Sequence, residues 1–463
     1  MTFAEHIGQL LSPDDTALLL AALASTPTVS VRANLTRGAV LRDDLERVPW
    51  CNRGAYLAVR PMFALDPAWH SGLYYVQDAS SMFISHVIGQ LITESVRYLD
   101  LCAAPGGKTT AAIDALPRGS VIVANEFVAA RALALCDNVS RWGNPSVIVT
   151  GTDTSKLARA LPATFDVVAV DAPCSGEGMM RKDDTAVKQW SPSLVKQCAE
   201  LQRAIITDAW KVLKPGGLLI YSTCTFNREE NEEQVEFIAQ LGGNSVAVPI
   251  DPSWNILPGI DTPHHCYRFM PHHTRGEGLF MAVMLKTTEN DSPINDKASK
   301  ATKPAKLSPH IHAALNWLNT REVTPMMTAY TLCAVNTADS AFVSRVTGAV
   351  HTLQAGVPLR DMRAPKPSPH HALAYSTLLA ADAFTRVNVD RETAVRYLRG
   401  EAITLADAPR GDVIVCYDNI PLGFARNLGA RANNLYPKPW RIITQQTSTP
   451  PASPLKHHTG STS

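Results

Sequence analysis

Long hydrophobic runs are missing from this 463-residue sequence. The longest apolar run near its beginning extends from Ala17 to Ala24, and it follows Asp14 and Asp15 instead of a basic segment. A membrane-spanning helix needs about 20 apolar residues, and a signal peptide carries positive charge before its apolar run. The sequence therefore predicts no membrane partner, no targeting segment and a cytoplasmic location.

Paired cysteine spacing is also missing. The nine cysteines are odd in number and form no repeated Cys-x-x-Cys pattern, which excludes a disulfide framework and a cysteine-based zinc site. Adjacent histidines occur at His264–His265, His272–His273 and His370–His371. Adjacent side chains usually diverge on a strand, and no Cys or acid pattern completes a ligand set, so we predict that the protein binds no metal.

A large net charge is absent too, since the formal value is +1 at pH 7. Residues 301–450 nevertheless carry 16 Lys and Arg against 10 Asp and Glu, whereas residues 1–300 carry 26 against 32. A modest basic excess is compatible with a polyanionic partner, but an ordinary solvated surface shows the same excess. Charge alone therefore decides nothing about partners.

Composition divides the chain into segments. Residues 287–309 are polar and rich in Lys, Pro and Ser, which is typical of a linker, and residues 445–463 have too few apolar side chains to build a core. We therefore predict a small α/β element at 1–90, a main domain at 91–286, a linker, a C-terminal region at 310–444 and a disordered tail.

Apolar segments alternate with amphipathic ones between Val96 and Leu285. This alternation predicts an α/β fold with a parallel, doubly wound sheet that binds ligands at the carboxyl ends of its strands. The predicted strands are Val96–Leu101, Val121–Ala124, Val147–Thr150, Phe165–Val170 and Leu218–Ser222, and the predicted helices are Lys108–Leu116, Val128–Arg141 and Leu194–Val212.

A glycine turn follows the first of these strands, in the sequence LDLCAAPGGKTT. Gly106 and Gly107 let a ligand approach the backbone, and the helix that follows presents free N–H groups to a carboxylate or phosphate. A nucleotide triphosphatase loop would need a glycine five residues before Gly107, where Cys102 stands. The turn therefore disfavours that class of enzyme.

Acidic residues follow the next three strands. Glu126 comes about 20 residues after the glycine turn, where a carboxylate can accept hydrogen bonds from both hydroxyls of a ribose. Asp153 follows the third strand and Asp171 ends the fourth. Any one of these acids alone is better explained as a loop carboxylate or a helix cap, but together they predict a site for an adenosine-containing cofactor.

Two cysteines also lie at strand ends, in polar turns that a substrate could reach. Cys174 follows the fourth strand and Cys224 the fifth. A thiolate that adds to C6 of cytosine makes C5 nucleophilic, and a base must then remove the C5 proton before the thiolate leaves. This chemistry does not decide which thiol attacks.

The remaining cysteines are expected to be small apolar residues, namely Cys51, Cys102, Cys136, Cys198, Cys266, Cys333 and Cys416.

Three motifs in this order, CAAPGGK (102–108), DAPCSGEG (171–178) and STCTFNREENE (222–232), carry a family resemblance. The chain resembles the Sun-type RNA (cytosine-5) methyltransferases, and among them the RsmF-like bacterial ribosomal RNA enzymes, over nearly its whole length. VRANLTR (31–37), YYVQDASSM (74–82) and PHHTRGEGLF (271–280) are secondary matches.

The resemblance implies a Rossmann-like S-adenosylmethionine methyltransferase domain preceded by an RNA-binding element. It implies that Cys224 is the nucleophile, that Cys174 assists product release and that Asp171 takes part in catalysis. DNA cytosine methyltransferases instead use the cysteine of the Pro-Cys segment, so the presence of both thiols favours RNA. The residues implied to bind the cofactor are Cys102, Ala103, Ala104, Pro105, Gly106, Gly107, Lys108, Glu126, Asp153 and Asp171.

The C-terminal sequences YLRGEAI (397–403) and GDVIVCYDNIPLGFARNLGARANNLYPKPWRI (411–442) are similar to the PUA-like RNA-binding domain of the RsmF-like enzymes. Basic and aromatic residues interleave there, as a surface for phosphates and stacked bases requires. The aromatic residues could equally form the core of a small β-barrel. The residues concerned are Arg426, Arg431, Lys438, Arg441, Phe424, Tyr436 and Trp440.

Three functions are compatible with the sequence: methylation of 16S ribosomal RNA, methylation of transfer RNA by the same chemistry, and non-catalytic RNA binding in ribosome assembly. The third is disfavoured because both thiols, the glycine turn and the acids are intact. The target base must leave its stack, which is least costly for an unpaired nucleotide, and this favours an accessible ribosomal RNA loop. We expect a monomer.

Overall fold

The computed structural model describes residues 1–287, 309–363, 368–444 and 452–456. The predicted linker, except for its two end residues, lies outside the described residues. Among the residues that the structure describes, no helix is both long and apolar enough to cross a membrane.

The N-terminal region forms an antiparallel sheet with strand order β2-β3-β1-β4, flanked by short helices. Helix α2 begins where Ser12 accepts a hydrogen bond from the Asp15 N–H and Pro13 occupies the first turn, a favourable helix start. In chain order the elements are α1 (Phe3–Ile7), α2 (Pro13–Leu23), β1 (Val29–Ala33), β2 (Arg47–Val48), β3 (Cys51–Leu57), α3 (Pro67–His70) and β4 (Tyr74–Val76).

The central region contains the predicted doubly wound sheet. Strands β5 to β9 are parallel and follow the order β9-β8-β5-β6-β7, so the strand order reverses beside β5. Its elements are α4 (Phe83–Leu91), β5 (Arg97–Asp100), α5 (Gly107–Ala115), β6 (Val121–Asn125), α6 (Ala129–Trp142), β7 (Val147–Thr150), α7 (Thr154–Ala160), β8 (Phe165–Asp171), α8 (Asp184–Gln189), α9 (Pro192–Val212), β9 (Leu213–Thr223), α10 (Glu232–Gln240), β10 (Gly243–Ser245), β11 (Cys266–Phe269) and β12 (Leu279–Lys286).

The five predicted parallel strands are confirmed within a few residues at each end. Hydrophobic clusters cover both faces of the sheet, which explains why its strands are continuous apolar runs. Strands β10, β11 and β12, which were not predicted, continue the sheet with antiparallel pairing beyond β9.

The C-terminal region is not separate from this sheet. Strand β15 pairs antiparallel with β7 and covers the edge of the central sheet, which then has nine strands. Two smaller sheets follow the orders β13-β14-β16 and β17-β18-β19-β20. The elements are α11 (Pro309–Leu315), β13 (Val323–Thr328), β14 (Thr331–Asn336), α12 (Ser340–Ala349), β15 (Thr352–Ala355), β16 (Val357–Asp361), β17 (Arg386–Asn388), α13 (Arg391–Leu398), β18 (Gly411–Tyr417), β19 (Ile420–Asn427) and β20 (Ala432–Asn434).

The prediction of a disordered tail is wrong for residues 452–456. Leu455 is 6% exposed and forms a β-bridge with Leu41. The Lys456 ammonium lies 2.7 Å from the Asp43 carboxylate. Leu455 packs in the hydrophobic cluster of the N-terminal region, and backbone hydrogen bonds from Arg42 to the Pro454 carbonyl and from Lys456 to the Val40 carbonyl also hold this short segment.

Candidate active site

The glycine turn lies between β5 and α5, at the carboxyl edge of the sheet. Gly106 has a φ of 109°, a backbone conformation that glycine adopts readily and other residues rarely adopt. In the described part of the chain, no side chain caps α5, so the first N–H groups of the helix have no capping acceptor from a side chain. The turn is braced from α6, because Asn138 donates to the Pro105 carbonyl at 2.7 Å and Arg131 to that of Ala104 at 3.0 Å.

Asp100, which sequence reasoning missed, ends β5 directly before this turn. Its side chain is buried, and its Oδ2 accepts a hydrogen bond from the Thr109 hydroxyl at 2.6 Å. Burial raises the pKa of this carboxyl to about 7, although the Thr109 hydrogen bond acts in the opposite direction. The signal was available, since Asp100 is an acid at a strand end like the three that the sequence analysis selected.

Glu126 follows β6 and is 4% exposed. Its Oε1 accepts the Val128 N–H at 2.8 Å, and its Oε2 lies 3.4 Å from the Arg131 guanidinium.

Asn125, which was not predicted from the sequence, joins three loops through its side chain. It donates to the carbonyl groups of Leu101 and Thr152 and accepts from the Thr152 N–H. Asn125 therefore fixes the loop that presents Glu126.

Asp153 is the N-cap of α7. Its Oδ1 accepts the N–H groups of Ser155 and Lys156 at 3.1 and 3.2 Å, together with the Ser155 hydroxyl at 2.6 Å. The Ser155 hydroxyl, followed by the backbone bonds, lowers the pKa of this carboxyl. The observed contacts of Asp153 are those of a helix cap, one of the alternatives that the sequence left open for each acid.

Lys108 and Asp171 form an ion pair across the site, with 2.8 Å between Nζ and Oδ1. The Ser222 hydroxyl donates to the same carboxylate oxygen at 3.0 Å, which links the ends of β8 and β9. Burial alone would lower the pKa of the Lys108 ammonium, but the charge and hydrogen bond of Asp171 outweigh it and raise the pKa. The charge of Cys224 acts in the same direction.

The two cysteines selected from the sequence meet at this edge. Their Sγ atoms lie 3.3 Å apart, and each side chain is partly exposed. The hydrogen bond with Cys224, together with burial, raises the pKa of the Cys174 thiol well above its ordinary value. The contact between the two sulfur atoms therefore favours the protonated form of Cys174.

Two buried glutamates, both missed by the sequence analysis, hold the cysteine loops together. The Glu177 carboxylate accepts the N–H groups of Phe226 and Asn227 at 2.6 and 3.1 Å. In the opposite direction, the Glu230 carboxylate accepts the Ser175 N–H at 2.9 Å. Each loop thus supplies a carboxylate to the backbone of the other, which fixes the spacing of the two sulfur atoms.

The other seven cysteines, which were expected to be small apolar residues, are all buried or half-buried. Cys102 lies in the glycine turn, and burial raises the pKa of its thiol.

The C-terminal aromatic residues pack in hydrophobic cores rather than offer faces to RNA. Phe424 and Tyr436 are buried, and the Tyr436 hydroxyl lies 2.9 Å from Nδ1 of His70 in the N-terminal region. Half-buried Trp440 lies under the Arg141 guanidinium. The expectation of stacking surfaces is therefore wrong for Phe424 and Tyr436, and the alternative of core aromatics holds.

The basic residues in that region divide into two groups. Arg426 is paired with Asp412, with 2.8 Å between Nε and Oδ1. Arg431 and Lys438 are exposed, and Arg441 is half-buried. Only some of the predicted phosphate-binding charges therefore lie free on the surface.

One of the adjacent histidine pairs lies beside an acidic side chain. The sequence indicated no acid near these histidines, and in the structure the ligand atoms of Asp15, His272 and His273 all lie within 4.8 Å of one another. Asp15 lies so far from His272 and His273 in the sequence that residue spacing could not predict their proximity.

Comparisons with known proteins agree with this architecture in all three regions. Residues 91–285 match the family model described as 16S rRNA methyltransferase RsmB/F. Residues 1–79 match the N-terminal domain of 16S rRNA methyltransferase RsmF, and residues 384–442 match the methyltransferase RsmF PUA domain.

Full-length relatives decide the family. The ribosomal RNA small subunit methyltransferase F of Enterobacter sp. (strain 638) is 32% identical over 430 residues, covering 89% of this chain and 88% of the relative. That of Erwinia tasmaniensis is 30% identical and covers 94% and 93%. The chain belongs to the RsmF family. The resemblance inferred from the motifs is thereby confirmed, and RsmF membership makes this chain an S-adenosylmethionine-dependent methyltransferase.

Solved structures extend the likeness to the fold. A methyltransferase homologue protein from Pyrococcus horikoshii shares 25% identity at a TM-score of 0.53 and covers 61% of this chain and 94% of that chain. The structure of NSun6 from the same organism with SFG, at 21% identity and a TM-score of 0.54, covers 62% and 98% and shares the fold. The predicted Rossmann-like methyltransferase fold with a PUA-like C-terminal region is confirmed.

Proposed function

We propose that this RsmF-family enzyme methylates C5 of a cytosine in 16S ribosomal RNA through a covalent bond between Cys224 and C6 of the base. The observation that carries the proposal is the pair of thiols 3.3 Å apart at the ends of two adjacent parallel strands. Membership of a ribosomal RNA methyltransferase family supports the RNA substrate, and the two thiols support the C5 chemistry.

The residues of the glycine turn fit S-adenosylmethionine, which supplies an electrophilic methyl group when bound. The uncapped N–H groups of α5 suit the carboxylate of its methionine part, and Glu126 suits its ribose hydroxyls. Residues 102–107 line the turn against the cofactor, whereas the Lys108 side chain reaches Asp171 at the end of β8. Asp153 caps α7. We propose that it acts on the cofactor indirectly, by fixing the loop between β7 and α7.

Lys108 and Asp171 would hold the target base. When the Cys224 thiolate adds to C6, the C5–C6 electron pair moves toward C5, and negative charge spreads over the ring. The Lys108 ammonium stabilises that charge, and the Asp171 carboxylate accepts a hydrogen bond from the amino group of the base. Their ion pair sets the position of both side chains before the base enters.

Release of the product then requires a base near C5. C5 loses its proton, the C5–C6 double bond re-forms, and the C6–sulfur bond breaks to return the thiolate. Cys174 lies beside Cys224, whose hydrogen bond is the main cause of the raised pKa of the Cys174 thiol. Once the Cys224 sulfur is bonded to C6 that cause is removed, so Cys174 can give its proton to water and then accept the C5 proton as a thiolate. We assign Cys174 to this proton transfer.

Methyl transfer from labelled S-adenosylmethionine to ribosomal RNA, resolved for protein–RNA adducts on denaturing gels, tests these roles. Cys224→Ala should abolish transfer and form no adduct, whereas Cys174→Ala should accumulate adduct with the RNA. Cys198→Ala, at a half-buried position on α9, is the matched control and should behave as the wild type. Methylation by Cys224→Ala would show that the nucleophile is misassigned.

The substrate is tested separately by mapping 5-methylcytosine in total RNA of a deletion strain. Loss of one site in 16S ribosomal RNA is expected. Unchanged ribosomal RNA together with loss of a transfer RNA site would establish the alternative substrate. No change in any RNA would favour a non-catalytic binding role.

A further inference from the structure

A tight turn between β11 and β12 brings two histidines to the N-terminal region. The N–H groups of His273 and Thr274 both donate to the Met270 carbonyl at 2.8 Å, which turns the chain sharply at this point. The imidazole rings of His272 and His273 lie 4.3 Å apart, tilted by 49°. Because the residues lie in a turn and not on a strand, the two side chains point in similar directions.

His272 is buried without hydrogen bonds. Its side chain is 3% exposed, and within the described residues neither ring nitrogen has a hydrogen-bond partner. A buried polar atom that lacks a partner is destabilising by roughly 1–3 kcal/mol, and native proteins rarely leave both imidazole nitrogens in that state. Among the described residues, both ring nitrogens of His272 are therefore left without a hydrogen-bond partner.

Asp15, in the first turn of α2, faces the same place. The Ser12 hydroxyl donates to its Oδ2 at 2.9 Å, which leaves Oδ1 directed at the histidines. Oδ1 lies 3.8 Å from Nε2 of His272 and 3.5 Å from Nε2 of His273. These separations exceed an ordinary N–H···O hydrogen bond of about 2.7–3.2 Å.

The spacing instead suits an ion bound between the three atoms. Tetrahedral coordination with bonds of about 2.0–2.1 Å separates neighbouring ligand atoms by about 3.4 Å. We propose that Asp15, His272 and His273 bind a first-row divalent metal ion such as Zn²⁺, with Ser12 orienting the carboxylate. Imidazole nitrogen is a poor ligand for Mg²⁺ and Ca²⁺, which prefer oxygen.

The ion joins two parts of the molecule near the active site. Ile7 and Leu19, from α1 and α2, pack with Met270 and Phe226 in one hydrophobic cluster. Phe226 is the second residue after Cys224, and its N–H is one of those held by Glu177. The metal thus fastens the N-terminal helices to the turn that supports the Cys224 loop, and it takes no part in methyl transfer.

Zn²⁺ binding by the full-length, tag-free protein tests the proposal. After chelation and desalting, isothermal titration with Zn²⁺ alone should reveal a site that Asp15→Asn, His272→Gln and His273→Gln each weaken by about tenfold or more. Asp14→Asn, in the same helix turn, and His265→Gln, in another histidine pair, are matched controls and should bind as the wild type does.

Co²⁺ distinguishes this site from the active-site thiols. A tetrahedral nitrogen and oxygen site gives visible absorption without the near-ultraviolet sulfur-to-cobalt band of a thiolate complex. Absence of Zn²⁺ binding, binding unchanged in all three variants, or a sulfur-to-cobalt band lost in Cys174→Ala would overturn the proposal. Circular dichroism of the metal-free variants checks folding, and the half-exposed His273 provides the test if His272→Gln does not fold.

Discussion

At the scale of single residues, the carboxylates of the site differ in what surrounds them. Asp171 is partly exposed and paired with Lys108, whereas Asp100 is buried with one hydroxyl as its hydrogen-bond donor. Glu177 and Glu230 are buried among backbone N–H groups. Burial therefore disfavours the charged form of Asp100, although Asp100 ends a strand at the same edge as Asp171.

Asp100 should make stability depend on pH. Burial raises its pKa to about 7 in the folded protein, from a value of 3.8 for the free side chain. The folded state therefore binds a proton more tightly than the unfolded state, and its contribution is full below about pH 4 and is lost as the pH rises through about 7. The difference in unfolding free energy between the wild type and Asp100→Asn should decrease over that range.

Urea unfolding of both proteins at several pH values measures this difference, and the other titrating groups cancel in the comparison. A difference that stays constant from acid to neutral pH would contradict the raised pKa.

The sequence predicted the positions of Cys174, Cys224 and the glycine turn because each follows a strong apolar strand. It missed Glu177 and Glu230 although both lie inside the quoted motifs. Their roles depend on a partner loop about 50 residues away in the sequence, and periodicity carries no information about such partners.

At the scale of elements, the loop that follows Cys174 is closely packed against neighbouring backbone. A Cβ on Gly178 would lie 2.8 Å from the carbonyl oxygens of both Cys224 and Glu277. Both obstacles are backbone atoms, so one of the segments would have to move.

Gly178→Ala should therefore reduce methyl transfer strongly, because a misplacement of about 1 Å in reacting groups can lower the rate about 100-fold. Gly176→Ala is the control: its φ is +75°, so it is strained, but no atom lies within 4 Å of the added Cβ. It should lower stability by about 1–2 kcal/mol and retain transfer. Single-turnover rates and unfolding curves separate the two effects, and equal rates for both variants would argue against the tight packing.

Arg32 connects the N-terminal sheet to the helix that follows the glycine turn. Its buried guanidinium pairs with Asp114 at 3.0 Å and donates to the Thr110 hydroxyl at 2.6 Å, both on α5. This contact gives the secondary motif VRANLTR a structural role in fixing the cofactor helix.

Arg32→Met should destabilise the protein by about 3–5 kcal/mol, because it leaves the Asp114 carboxylate buried without its counter-ion. Arg42→Met is the matched control, since Arg42 pairs with Asp44 on the exposed surface and such pairs contribute little. Urea unfolding measures both, and similar small losses for the two variants would contradict the role of the buried pair.

At the scale of the whole molecule, the domain boundaries predicted from composition do not coincide with the limits of the central sheet. The polar segment near residue 300 predicted a separate C-terminal region, but β15 completes the central sheet from beyond it. Phe342, on α12, packs edge to face on Phe165 of β8 at a centroid distance of 6.2 Å. Short edge strands and antiparallel additions carry weak sequence signals, because their pairing partners lie far away in the chain.

This packing predicts that the central sheet and residues 309–361 unfold as one unit. Phe342→Ala removes a buried ring from their shared core and should lower stability by about 3 kcal/mol. Amide exchange should then accelerate together in α12 and in β5 to β8. Leu422→Ala, in a different hydrophobic cluster, is the control and should accelerate exchange first in the sheet of β18 and β19. If Phe342→Ala affects α12 alone, the two parts are independent domains and β15 is only a cover for the edge of β7.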